Sequence, residues 1–260
     1  MVRRSHEGGN LCVEPRMDSR IRANEELALM TATPCMTSFR GKAYNEIARD
    51  VWNKQAAIDL EARKDDGQEA AMLKDLVLKN RSYRRFHEDV EVDSQTLREL
   101  VDLARLSASA SNKQPLRYML SCTKEKNALI FPTLAWAAYL KDWSGPSVGE
   151  RPSAYIVILA DKEISANFNW DAGICSQNIL LGATEKGLGG CIIANINKPS
   201  LKQALNIPDT YEIVFVLALG KPKEHVVIEP VPASGDIKYW RDAEETHHVP
   251  KRSLEDLIIG

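Results

Sequence analysis

The chain has 260 residues, enough for one domain or two, and its 44% apolar and 27% charged residues are the balance of an ordinary globular protein. Lys plus Arg (34) nearly cancels Asp plus Glu (36), leaving a net charge of −2, which argues against a polyanionic partner and predicts no nucleic acid. The longest apolar run, residues 213–219, is far too short for a bilayer, and Arg3 and Arg4 are followed by no apolar leader. Five cysteines without a CxxC pair give neither a disulfide framework nor a zinc site. These features predict a reduced, soluble, cytoplasmic protein without a membrane partner.

Residues 1–71 read as an N-terminal extension, largely disordered at its start and partly helical toward its end. Scattered charges and Gly8-Gly9 give it little apolar area to bury, and residues 63–69 interrupt its helix formers. A single mixed α and β domain is expected over 72–260, with Met72 as a possible natural start. Its first helix aligns Met72, Leu73, Leu76 and Val77 on one face. A second, about 94–106, stripes Leu97, Leu100, Val101 and Ala104 behind a cap at Asp93 or Ser94. Residues 118–121 read as a short strand, and 125–140 as an apolar helical stretch containing Pro132 and Trp136.

Residues 154–160 read as a buried strand, and 213–219 as another, stopped by Gly220 and Pro222. Between them, residues 172–184 carry no charge and are too long for an ordinary strand. Asp171 at their start, Lys186 at their end and Gly187 at the C′ position fit a helix. A helix neutral all round is expected to be covered all round, in a core, at a subunit interface, or both.

Four clusters carry candidate chemistry. Residues 80–89 (NRSYRRFHED) put three arginines and a serine after the first helix, a set suited to a phosphate monoester; a solvated basic turn is the plainer reading. Residues 107–118 (SASASNKQPLRY) place Asn112 and Gln114 before a proline, able to read the edge of a planar heterocycle, or are simply a polar loop. Residues 185–195 (EKGLGGCIIAN) have Ile192 where a dinucleotide GxGxxG needs glycine, and they follow a helix, so a helix stop running into a strand fits better. Residues 247–259 (HHVPKRSLEDLII) read as a surface tail with exposed histidines and the basic pair Lys251 and Arg252. No histidine has metal-ligand spacing with cysteine or carboxylate.

In this order the four clusters resemble the nitroreductase family of FMN-dependent oxidoreductases, and the resemblance covers about 72–260. It implies an α+β fold, an α/β/α sandwich with a central mixed, mainly antiparallel sheet. It implies a homodimer with FMN at the interface, hydride passing from NADH or NADPH through flavin N5 to a nitroaromatic, quinone or related small aromatic acceptor, by a ping-pong route. Matched to the family's motifs, Arg81, Ser82 and Arg84 form a first FMN-binding stretch, Arg84 tuning the flavin's charge. Ser109, Asn112 and Gln114 form a second; Ile192, Ile193, Ala194 and Asn195 approach the ring through backbone groups; and Lys251 or Arg252 meets the phosphate. Asn80 stands where many members have arginine, and Ala108 where proline is common. Trp136, Tyr139 and Trp143 are candidates to stack on the acceptor or to pack as core. Alternatives are a specialised member that cleaves flavin or removes halogen, a flavin-binding protein without turnover, and a protein-interaction module.

Overall fold

The computed structural model describes residues 73–260, and the expected extension lies outside them. In chain order the elements are α1 (Leu73–Lys79), β1 (Phe86–His87), α2 (Ser94–Arg105), β2 (Leu116–Ser121), α3 (Lys124–Ile130), β3 (Ala154–Asp161), α4 (Asn169–Glu185), β4 (Gly189–Ile193), α5 (Lys198–Ala204), β5 (Tyr211–Pro222), β6 (Val226–Pro230), β7 (Trp240–Arg241) and β8 (His247–Lys251). Helix α1 forms where its periodicity predicts, but Leu73, Val77 and Leu78 stay exposed. Among the described residues no helix is long and apolar enough to cross a membrane.

Strand β3 organises the centre. Because side chains alternate across a strand, its eight residues feed two cores. Ile156, Ile158 and Ala160 meet Leu97, Leu100 and Ala104 of α2 and Ile179 and Ala183 of α4. Tyr155, Val157 and Leu159 meet Ile130 at the end of α3 and Leu201 of α5. Helices therefore cover both faces, the expected α/β/α sandwich. β3 pairs antiparallel with β2 and β5, and β5 also pairs antiparallel with β1 and β4. Among the described residues parallel pairing is confined to the Ser82–Gly190 bridge and to β6 with β8, which with β7 make a separate three-stranded sheet.

Helix α2 is capped as expected, the Asp93 carboxylate accepting from the Thr96 amide at 2.6 Å. At the end of α4 the Leu188 amide donates to Ala183 O (2.8 Å) and Gly187 to Thr184 O (3.0 Å), with Gly187 at φ +69°. That is the Schellman ending which a glycine at C′ permits.

Two expectations are corrected. The helix expected over 125–140 stops at Ile130, followed by a 3₁₀ turn, Phe131–Thr133, and a loop. Pro132 has no amide to donate and disfavours helical backbone before it. Gly220 does not stop β5, which pairs with Gly189 there and runs on to end at Pro222, opposite Phe86. Within the described residues α4 packs on the sheet and beside α1 and α2, while Trp170 (79% exposed) and Ile174 (43%) stay exposed.

Candidate functional site

The segment between α1 and β1 lies against the start of β4. The Tyr83 amide donates to Gly190 O at 3.0 Å, and Ser82 bridges Gly190 in parallel. The approach needs glycine at 189, where a Cβ would sit 2.5 Å from Tyr83 Cδ2, and the packing of β4 on β5 and α4 needs it at 190, where a Cβ would sit 2.6 Å from Ala218 O and 2.7 Å from Leu180 Cδ2. The paired glycines thus serve close packing between layers, as their position after a helix stop suggests.

That contact fixes Arg84, whose side chain is 9% exposed. Its backbone N–H donates to Glu224 Oε2 at 2.8 Å. Among the described residues its guanidinium reaches only neutral groups: Nη1 donates to Ser82 O (3.2 Å) and lies 3.2 Å from His247 Nε2, and the Tyr239 ring stands 4.7 Å from Cζ. The buried Glu224 carboxylate pairs instead with Arg241, at 2.5 Å. A buried guanidinium without a carboxylate partner is a site prepared for an anion or an electron-rich edge.

Arg81, Ser82, Arg84, Ile192 and Lys251 line one cleft of about 300 Å3, together with His247 and Tyr239. Three cations border it, and among the described residues no acidic side chain lines it. An adjoining hollow is lined by Ile192, Ile193, Ala194 and Asn195, and shares Arg84, Ile192 and Tyr239 with the first. The carbonyl of Asn195 is already taken by the Ala135 amide at 3.0 Å. Trp136 lines this hollow with its buried Nε1 unpartnered, whereas Trp143 packs edge-on against Trp136 (6.5 Å) beneath the Arg241 guanidinium. Tyr139 is exposed and lies 4.9 Å from Tyr239.

Ser109, Asn112 and Gln114 stand elsewhere in the same chain. Their loop is pinned to the first turn of α4: Ser109 Oγ donates to Asp171 Oδ2 (2.5 Å) and the Ala110 amide to Oδ1 (3.0 Å). Ser109 Oγ also accepts from the Gln114 amide (2.9 Å). Ser111, Asn112 and Gln114 all hold positive φ, so the anchored loop keeps strained backbone and exposed polar side chains. Arg252 is exposed and lies outside the cleft lining, while Lys251 is on it. Strand parity explains the difference: on β8, His247, Val249 and Lys251 all face the cleft.

The expected surface tail with exposed histidines is corrected by this strand. His247 is 1% exposed, and His248 stacks on Trp240 at 4.0 Å between Glu229 and Asp242. Burial, reinforced by the Arg84 and Arg241 charges, lowers the His247 pKa to about 4 against the pull of Glu224. Hydrogen bonds to Asp242 and Glu229 raise that of His248. Burial also raises the Cys191 thiol. Sequence reasoning missed Glu224, Tyr239 and His247. The alternation through residues 247–251 was the one signal for His247, and nothing local marks the other two.

The fold and cleft define an α+β domain with a cationic, acid-free pocket at the edge of its sheet. The nitroreductase family model matches residues 77–221. The chain is 24% identical over 148 residues to a putative NADH dehydrogenase/NAD(P)H nitroreductase of Archaeoglobus fulgidus, covering 54% of this chain and 80% of that protein. It is 25% identical over 172 residues to an NADPH-flavin oxidoreductase of Vibrio harveyi, covering 59% and 67%. A solved nitroreductase family protein of Streptococcus pneumoniae has the same fold, with a TM-score of 0.50 at 21% identity over 61% of this chain and 94% of that one. The chain belongs to the nitroreductase family, and it is an oxidoreductase of that type.

Proposed function

We propose that the cleft at Arg84 holds FMN and that the protein is an NAD(P)H-dependent flavin oxidoreductase acting on nitroaromatics, quinones or related small aromatic acceptors. The observation that carries this is the buried Arg84 guanidinium, which among the described residues has no carboxylate partner and stands in a cleft bordered by Arg81 and Lys251 and lined by no acid. Arg81 and Lys251 are placed to meet a phosphate, and Arg81 Nε, buried without a partner, is a donor still to be used. Arg84 is placed to meet the ring, where a fixed cation stabilises negative charge gained on reduction. FMN, when bound, supplies the redox chemistry, accepting hydride from NADH or NADPH and passing electrons to the acceptor. The chain's own part is to bind, orient and exclude water. A cytoplasmic setting, where NAD(P)H is at hand, fits this role.

The protein acts as a homodimer in this reading. The uncovered side of α4 carries Trp170, Gly173, Ile174 and Gln177 without a charge, and Gln177 also lines the cleft. A second copy on that side would bury the exposed Trp170 and bring its own Asn112 and Gln114, standing on the loop tied to Asp171, toward this cleft. Trp136, beside Arg84, is the side chain best placed to meet the acceptor. The test is spectroscopic. NADH or NADPH should bleach the flavin bands and a quinone should restore them, with steady consumption of the nicotinamide; a bound flavin that neither donor bleaches would instead mark a binding protein without turnover.

A further inference from the structure

His247 has no part in the reading above, yet it is among the most completely buried polar side chains of the described residues. Its ring meets two neighbours that matter, and its backbone a third. Nε2 lies 3.2 Å from Arg84 Nη1, the Tyr239 ring is 5.2 Å away, and the backbone amide is tied to His225 O at 2.8 Å. Arginine can only donate, so Nε2 must accept, and the ring proton of a neutral imidazole must sit on Nδ1. Nδ1 is buried and has no partner among the described residues.

That arrangement works against stability. An unpaired buried donor is costly, and a side chain that served packing alone would avoid it. What the arrangement supplies is a neutral acceptor for Arg84 at a place where a carboxylate would cancel its charge. The nearest carboxylate, Glu224, is kept away from the Arg84 guanidinium by Arg241 on one oxygen and by the Arg84 backbone N–H on the other.

We infer that His247 is a positioning residue for the flavin site: its Nε2 lone pair and the Tyr239 ring hold the Arg84 guanidinium toward the cleft without neutralising it. The inference rests on the FMN reading and deepens it, because it assigns what keeps the ring-facing cation both fixed and charged. The groups facing the imidazole are Arg84 before β1, Glu224 between β5 and β6, Tyr239 and Arg241 at β7, and His248 beside it on β8. Protonation of Nε2 removes the acceptor and sets a second cation against Arg84, so acid disarms the arrangement.

The experiment uses the full chain with wild-type, His247→Ala and His247→Gln proteins, measuring FMN affinity and flavin midpoint potential from pH 7 toward pH 4. The glutamine amide oxygen can replace Nε2 as acceptor but does not titrate. His247→Ala is expected to bind FMN about tenfold to hundredfold more weakly and to shift the potential to more negative values. His247→Gln should stay within about threefold of wild type and lose the weakening that wild type shows on approach to pH 4. Unchanged affinity and potential in a folded His247→Ala protein would overturn the inference. Should alanine unfold the C-terminal sheet, imidazole nitrogen NMR of the wild type decides: a protonated Nδ1 and a bare Nε2 that responds to Arg84→Lys are expected, and a protonated Nε2 is contrary. A wild type that takes up no FMN overturns the reading beneath, while the nitrogen signals still judge the His247–Arg84 link on their own.

Discussion

Strand β3 runs from Ala154 to Ala160 without a charge and is covered on both faces, whereas β8 packs His247, His248 and Lys251 into five residues. The first is held by apolar burial between α2 and α4 on one side and α3 and α5 on the other. The second is held by paired charges and ring contacts: Glu224 with Arg241, His248 with Glu229 and Asp242, and Trp240 stacked on His248. The central sheet builds the domain, and the C-terminal sheet closes on Arg84 and completes the cleft. Stability and site construction are thus assigned to different parts of the molecule and to different forces.

The largest test of that division is in the centre. Ile156→Ala opens a cavity between α2, α4 and the sheet and should cost about 4 kcal/mol, read as a lower denaturant midpoint for the whole domain. Glu224→Ala should cost about 3 kcal/mol, because it strands the largely buried Arg241 and leaves the Arg84 amide without its acceptor. Here the loss should be local. Hydrogen exchange should quicken at 226–230 and 247–251 while β3 keeps its protection; uniform quickening would break the comparison.

Acid and base should separate the two regions further. His247 has a folded pKa near 4, below its unfolded 6.5, so its contribution is fully present above pH 6.5 and is lost as pH falls from 6.5 to 4. His248 has a raised folded pKa, so its contribution is present below pH 6.5 and fades as pH rises through that folded value. The C-terminal sheet should therefore be most stable between the two, and Trp240 fluorescence followed against pH should show loss on both sides. Glu150 is lowered to about 2, chiefly by the hydrogen bond from Arg85, and its contribution fails only as pH falls from 4.5 toward 2. The smallest expected effect is at the His248 stack, where Trp240→Ala should cost about 1 kcal/mol, seen as a modest gain in exchange at β8 alone.

The same division sets what the sequence discloses. Helix α2, strand β3 and the ending of α4 are written in local periodicity and caps, so 94–106, 154–160 and Gly187 were legible before any coordinates. The helix expected over 125–140 failed at Pro132, where a backbone rule overrode apolar composition. The site was half legible. Arg81, Ser82, Arg84, Ile192 and Lys251 meet in one cleft. Ser109, Asn112 and Gln114 do not join them within one chain, because Asp171 holds their loop at the far turn of α4. His247 reads as an exposed tail residue because β8 is too short and too polar to read as a strand, and Tyr239 goes unmarked because Arg84, which both residues meet, is more than a hundred positions away in sequence.

The most direct test of the account is to titrate the purified full chain with FMN, following the visible spectrum, beside an Arg84→Ala protein, and to identify any flavin that copurifies by mass. One FMN per chain, with affinity largely lost on Arg84→Ala, is the predicted result. A colourless chain that takes up no FMN, or an Arg84→Ala protein that binds as tightly as wild type, would contradict it.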